Sequence, residues 1–308
     1  MINRNIVRLK VLQLVYAEFK NQGKEQSAAM KELEFSLSKT YDLYHYLLLL
    51  ITDVTDYAQK RYESLNNHLS KIGSADKSKE RFIKNRFAAQ LSVNNQLQQF
   101  VENNSKHSWT EAEAVVKKLY KDITTSELFE DYLCSEEDSY KVDRDFWCKV
   151  YKKFIFYNED LDAVLEEWSL YWNDDKEIVD TFVVKTIKRF NEAKGKKQPL
   201  LPEYSEDEDG EFAQRLFKKV LENSDTYEQI IRKHLKNWDF DRIAVMDIVI
   251  MVCAIAELLE FPSIEVSVTL NEYINLAKLY SAPKSASFVN GILDKIVRDL
   301  RIEKKLHK

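Results

Sequence analysis

Five histidines, three cysteines and several adjacent acidic pairs are the residues of this chain that could bind a metal, attack an electrophile or move a proton. Their spacing does not support that chemistry. His45, His68, His107, His234 and His307 are scattered without metal-ligand spacing, which predicts structural or surface use for each. Cys134, Cys148 and Cys253 show no CxxC spacing, and two of them sit in apolar helical contexts, where buried, reduced side chains are expected. Glu136–Glu137 and Glu166–Glu167 are neighbours in sequence, so on a helix their carboxylates point apart. The motifs GxSxG, HExxH, GxGxxG and GxxxxGK(S/T) are all missing, and with them the nucleophile elbow, zinc helix and nucleotide loop. A non-enzymatic protein with no cofactor and no metal is predicted.

The elements expected around these residues are helices. The chain of 308 residues is 44% hydrophobic and 31% charged, enough for a sizeable core, yet it contains only 5 Gly and 4 Pro. Average usage would give roughly 7% Gly and 5% Pro, so barrels and glycine-cradled phosphate sites are poorly supported. Residues 3–19 place Ile6, Leu9, Val11, Leu12, Val15, Tyr16 and Phe19 largely on one helical face, with Arg4, Arg8 and Lys10 off it. Gln22–Gly23–Lys24 closes that helix, and a long one follows to about His68, ending at a turn over Gly73–Asp76. Further helices are predicted over roughly 79–103, 110–121, 125–133, 140–157, 160–171 and 174–193. Five more follow at 211–223, 225–236, 239–260, 264–280 and 284–303, with Pro262 and Pro283 where new helices should begin.

Between residues 199 and 211, Pro199–Leu–Leu–Pro202 and the acidic run from Glu206 read as the linker between two lobes, residues 1–200 and 205–308. Sliding the sequence by 66 positions aligns Asp145–Ile155 with Glu211–Leu221. The register continues through Val164, Leu165 and Trp172 onto Ile230, Ile231 and Trp238, which suggests a duplicated helical hairpin. Net charge is −5 and the pI about 5.7, so any nucleic-acid site must be a local basic patch, and DNA binding is not expected. No apolar span of 18 residues occurs, so no membrane association is expected and the cytoplasm is the expected compartment.

The most informative stretch is Trp238–Leu300. Asp239 and Asp241 are placed to cap a very apolar helix that must be central to its bundle. Thr269-Leu-Asn-Glu sets polar groups beside another apolar stripe. Asn290–Gly291 inside a helix is unusual, because Gly costs about 1 kcal/mol there relative to Ala, and close backbone approach is the expected reason.

The order Asp241-Arg-Ile-Ala-x-x-Asp247, Ala256-Glu-Leu258, Val268-x-Leu-Asn-Glu-Tyr-Ile-x-Leu-Ala-Lys278 and Phe288-Val-Asn-Gly-Ile-Leu-Asp-Lys-Ile296 resembles the NusB family of transcription antitermination factors. Arg8-x4-Gln13-x2-Tyr16-x2-Phe19 resembles the first helix of that family. The resemblance covers about residues 3–20 and 205–303. It implies an all-α helical bundle with an enlarged N-terminal lobe. It also implies binding of boxA-type single-stranded RNA of ribosomal RNA operons, together with NusE, a small-subunit ribosomal protein, within the RNA polymerase antitermination complex.

Carried over residue by residue, the resemblance gives Arg4, Arg8 and Lys10 phosphates to meet, and Tyr16 and Phe288 unstacked bases. Lys284, Ser285, Asn290 and Lys295 would add phosphate or base-edge contacts, and Asp241 and Asp247 would face the basic ribosomal protein. Two departures stand out. Met251-Val252-Cys253-Ala254 replaces a segment where the family usually carries an arginine, and Lys284 stands where acidic residues are common. The alternative is a helical protein–protein scaffold that has lost RNA binding. An RNA methyltransferase is disfavoured by the missing glycine-rich cofactor loop.

Overall fold

The computed structural model describes residues 1–21, 25–69, 79–104, 106–206, 208–235 and 240–306. Gly23, the Gly73–Asp76 turn, Trp238, Asp239 and His307 lie outside them. Among the described residues the chain forms fourteen α-helices with short 3-10 and π segments, as the helix-rich composition predicts. An isolated parallel bridge joins Ile2 and Tyr204. In chain order the helices are α1 Arg4–Asn21, α2 Gln26–Leu69, α3 Glu80–Ile83, α4 Arg86–Ser92, α5 Asn95–Asn103, α6 Glu113–Thr124 and α7 Glu127–Cys134. They continue as α8 Tyr140–Val150, α9 Glu159–Trp168, α10 Lys176–Arg189, α11 Glu208–His234, α12 Val245–Glu260, α13 Val266–Tyr280 and α14 Ser285–Ile302. No helix of the described residues is long and apolar enough to cross a membrane.

Two compact units result. One holds residues 2–38 and 204–308, the other Met1 and residues 39–203. The first helix thus falls in the same unit as residues 204–308, where the linker pattern alone groups it with residues up to 200. The reason lies in α1 itself. Ile6, Val7, Leu9, Val11, Leu12 and Val15 are all buried and cover most of its circumference. A helix apolar on most sides must be enclosed, and α1 packs on α11 and α12.

In that unit α12 is the central element, with every residue from Asp247 to Leu258 buried. It begins at Val245 after Ala244, which makes no side-chain cap, and Asp241 sits upstream in a 3-10 turn over Phe240–Arg242. The expected Asp241 cap is therefore replaced by Asp247 in the first helical turn, where negative charge is favourable. Pro262 and Pro283 lie in the turns before α13 and α14, ahead of the first helical positions Val266 and Ser285. The acidic run after Glu206 is no free linker. It opens α11, and Asp209 is buried, its carboxylate accepting from the Glu206 amide at 3.1 Å. Where two helices were expected, α11 continues through a kink at Asn223, whose side-chain amide donates to the Lys219 carbonyl. Over the described residues the 66-residue register therefore aligns a broken segment, α8 through α9, with one kinked helix.

In the unit of residues 39–203, the segment expected as one helix over 79–103 is three. Asn85 accepts from the Ala88 amide and Asn94 from the Gln96 and Leu97 amides, so each asparagine starts a new helix. Aromatic rings fill the core, with Tyr132 stacked on Phe146 at 4.0 Å and Phe82 against Phe129 and Trp147. Between the two prolines, Leu200 and Leu201 are buried, and the Leu201 amide donates to the Tyr44 hydroxyl at 3.1 Å. That segment is pinned, since two leucines supply apolar anchors that a solvated linker lacks. After α8 the backbone widens into a π-helix over Tyr151–Ile155 before Asn158 caps α9.

Candidate nucleic-acid interface

Two helices of one unit, α1 and α14, carry the cations and rings expected to meet RNA, and they orient them differently. On α1, Arg8 is only 3% exposed. Its guanidinium grips Glu257 of α12 side-on, Nε donating to Oε2 at 2.7 Å and Nη2 to Oε1 at 2.9 Å. The Thr269 hydroxyl donates to the same carboxylate at 2.8 Å and the Tyr273 hydroxyl at 3.3 Å, so Glu257 is fully buried and surrounded by donors. Burial opposes the Arg8 charge, but hydrogen bonding to Glu257 and its negative charge outweigh that and hold the guanidinium above its ordinary value. Burial, with the Glu257 charge adding, pushes the Cys253 thiol and the Tyr273 hydroxyl up.

Arg8 is thus a structural cation, and its guanidinium is not presented to solvent. Lys10 is fully buried too. The helical wheel places both off the main apolar face, but α1 is enclosed on that side as well. Arg4 remains about one-third exposed; it pairs with Asp209 at 3.6 Å and Glu208 at 3.7 Å, and its guanidinium lies 5.5 Å from the centre of the Phe212 ring. Tyr16 is half-buried, with the Lys20 ammonium 5.7 Å from its ring centre.

On α14 the pattern turns outward. Lys284 at its N-cap, Phe288, Gly291 and Lys295 follow at intervals of four, three and four residues, which places them on one face of the helix. Lys284, Gly291 and Lys295 are exposed and Phe288 is half-buried. Arg298 and Ile302 prolong the same exposed face. A Cβ built on Gly291 would meet nothing within 4 Å. The close backbone approach expected there is not made by any of the described residues. Asn290, half-buried, donates weakly to Asp294 at 3.4 Å.

Ser285 and Asp247 are joined to each other. Asp247 is 5% exposed and accepts from the Ser281 hydroxyl at 2.5 Å and the Ser285 hydroxyl at 2.9 Å, tying the start of α12 to the start of α14. These groups brace the fold, and Asp247 is not presented as a surface acid. Asp241 is exposed. Glu257 and Tyr273 stand within the sequence motifs, which assign them no role. The signal was there, since a glutamate inside a run of buried apolar residues needs a cationic partner.

Comparison with known proteins bears mainly on this unit and reaches into the end of the other. The NusB family profile matches residues 181–298. The transcription antitermination protein NusB of Salinibacter ruber is 40% identical over 98 residues, 32% of this chain and 61% of that protein. The protein of the same name from Bacillus pumilus is 39% identical over 105 residues, 34% of this chain and 80% of that protein. A solved NusB structure from T. maritima aligns with 44% of this chain and 84% of its own at 27% identity and a TM-score of 0.29. The chain thus spans under two thirds of the Salinibacter protein but four fifths of the Bacillus one, and on that match it belongs to the NusB family.

Proposed function

We propose that this protein is a non-catalytic transcription antitermination factor that binds boxA-type single-stranded RNA together with NusE in the RNA polymerase antitermination complex. The name shared by its relatives supports the antitermination role. The observation that carries the RNA reading is the outward stripe of α14. Gly291 weakens the helix by about 1 kcal/mol relative to Ala, and none of the described residues comes close enough to require it. A ligand that must come close to the helix backbone does. Lys284 and Lys295 supply phosphate contacts on either side, and Phe288 a face for an unstacked base. Arg4 and Tyr16 extend the set on α1, with Asn290 at the edge, while Arg8 and Ser285 tie α1 and α14 to α12 and Lys10 is buried. Asp241 remains the candidate acid for NusE.

The inward turn of Arg8 and Lys10 favours a second reading, a protein-only scaffold, because it removes two cations from the surface. Fluorescence anisotropy of a labelled boxA-like RNA, with and without NusE and at two salt concentrations, separates the two. Under the RNA reading, Phe288→Ala weakens binding by about 1–3 kcal/mol, Lys284→Glu lowers both affinity and salt dependence, and Gly291→Leu obstructs the backbone approach. RNA binding that is absent, or unmoved by all three variants while NusE still binds, leaves the scaffold.

A further inference from the structure

The unit of residues 39–203 holds an open cleft of about 330 Å³ lined by Phe156, Tyr157, Trp172, Asp162, Glu166 and Glu177, with Lys176 at its base. It precedes residues 181–298, which the family profile matches. Its charge is one-sided. Three carboxylates, Asp162, Glu166 and Glu177, line the cleft with a single lysine. That lysine is turned inward: Lys176 Nζ donates to the carbonyls of Ile155 at 3.1 Å and Phe156 at 2.6 Å, and to Asp180 at 2.9 Å. It also reaches Asp162 at 3.3 Å. Glu166 and Glu177 are exposed and make no ion pair among the described residues.

The rings are placed by independent means. The π-helix ends at Ile155, its last carbonyls are held by Lys176, and Phe156 and Tyr157 follow with their ring centres 4.7 Å apart. Such wide turns recur at functional sites. Trp172 is 2% exposed and backs the cleft, its indole N–H donating to the Lys39 carbonyl at 2.7 Å, so Phe156 and Tyr157 are the rings open to a ligand. Tyr157 is left 80% exposed, and Leu170, two residues before Trp172 in the same 3-10 turn, 78%. Ring faces with carboxylates beside them attract a guanidinium or ammonium group. The exposed Tyr157 and Leu170 offer apolar surface beyond what a small free cation would cover.

We propose that this cleft docks an arginine- or lysine-bearing segment of a basic protein partner, one cationic side chain entering between the rings and the carboxylates. The inference does not depend on the RNA reading, because none of its residues belongs to the α1 and α14 surface.

The test is anisotropy titration of a fluorescein-labelled peptide of alternating Arg and Gly with the full chain. Variants are Glu166→Lys/Glu177→Lys, Tyr157→Ala, and Glu127→Lys/Glu130→Lys, the last an equal charge change on exposed residues of α7 in the same unit. Docking predicts at least tenfold weaker binding in the cleft reversal, a several-fold loss in Tyr157→Ala, and less than twofold change in the α7 reversal. Melting temperature and boxA-type RNA binding, measured alongside, are expected to stay unchanged in the cleft variants. Equal losses in both reversals would mean diffuse attraction and overturn the proposal. So would no peptide binding by the unaltered chain, or displacement of the peptide by spermine at concentrations equal to the peptide's own.

Discussion

Each unit of the molecule contains a buried ion pair, and the two are built differently. In the unit holding α1, Arg8 meets Glu257 through two parallel N–H bonds while Thr269 and Tyr273 donate to the same carboxylate. In the other, Lys176 meets Asp180 through one bond and spends its remaining donors on two backbone carbonyls, with the Tyr151 hydroxyl donating to Asp180 at 2.6 Å. The planar guanidinium matches both oxygens of a carboxylate; the ammonium acts as a point charge shared among acceptors. Burial pushes the Asp180 carboxyl up to about 6 despite Lys176, which pulls the other way. A lysine bond that also serves the backbone leaves its carboxylate only partly compensated. Side-chain geometry, more than the presence of opposite charges, sets how well a buried anion is held.

Breaking the stronger pair should have the largest effect. Arg8→Ala leaves the buried Glu257 carboxylate without its cation and is expected to cost roughly 3–5 kcal/mol, read as a fall in urea midpoint at pH 7. Lys176→Met should cost less, roughly 2–3 kcal/mol at pH 7, because Asp180 can take up a proton instead of remaining a buried anion. The same property gives a pH signature. Folded Asp180 holds its proton from its ordinary value of 3.8 up to about 6, where the unfolded chain has released it. Its stabilising contribution is therefore fully present below 3.8, declines as pH rises to about 6 and is flat above. Asp180→Asn should remove a slope of about 1–3 kcal/mol across that window, measured as the difference between variant and unaltered chain in urea unfolding at pH 4, 5 and 7. The smallest effect is expected from Thr269→Val, which removes one donor from a carboxylate that keeps three, at about 1 kcal/mol.

Periodicity made the helices legible, and the physics of the misses is specific. The apolar repeat over residues 79–103 continues through Asn85 and Asn94, so the pattern alone runs the helix on; the caps made by those two side chains end it. In the other unit, Asn223 resembles a stop signal, yet α11 absorbs it as a kink because apolar residues on both sides stay buried. The candidate interface was readable in part. The exposed face of α14 follows from spacing, given the helix. The fate of Arg8 does not, because Glu257 stands 249 residues away and nothing local in α1 announces its partner. Nor could the environment of Gly291 be read from its residue type, since glycine serves tight packing and open surface alike.

The outer end of the exposed face of α14 also offers a handle for observation. Cys148 and Cys253 are buried, so Cys134 is the exposed thiol of the three. With Cys134→Ser in place, Arg298→Cys would put one accessible sulfur on the same exposed face, about two turns beyond Gly291 and clear of the backbone approach. A nitroxide or small fluorophore attached there would report arrival of a ligand directly, as a change in its own mobility, without a label on the nucleic acid.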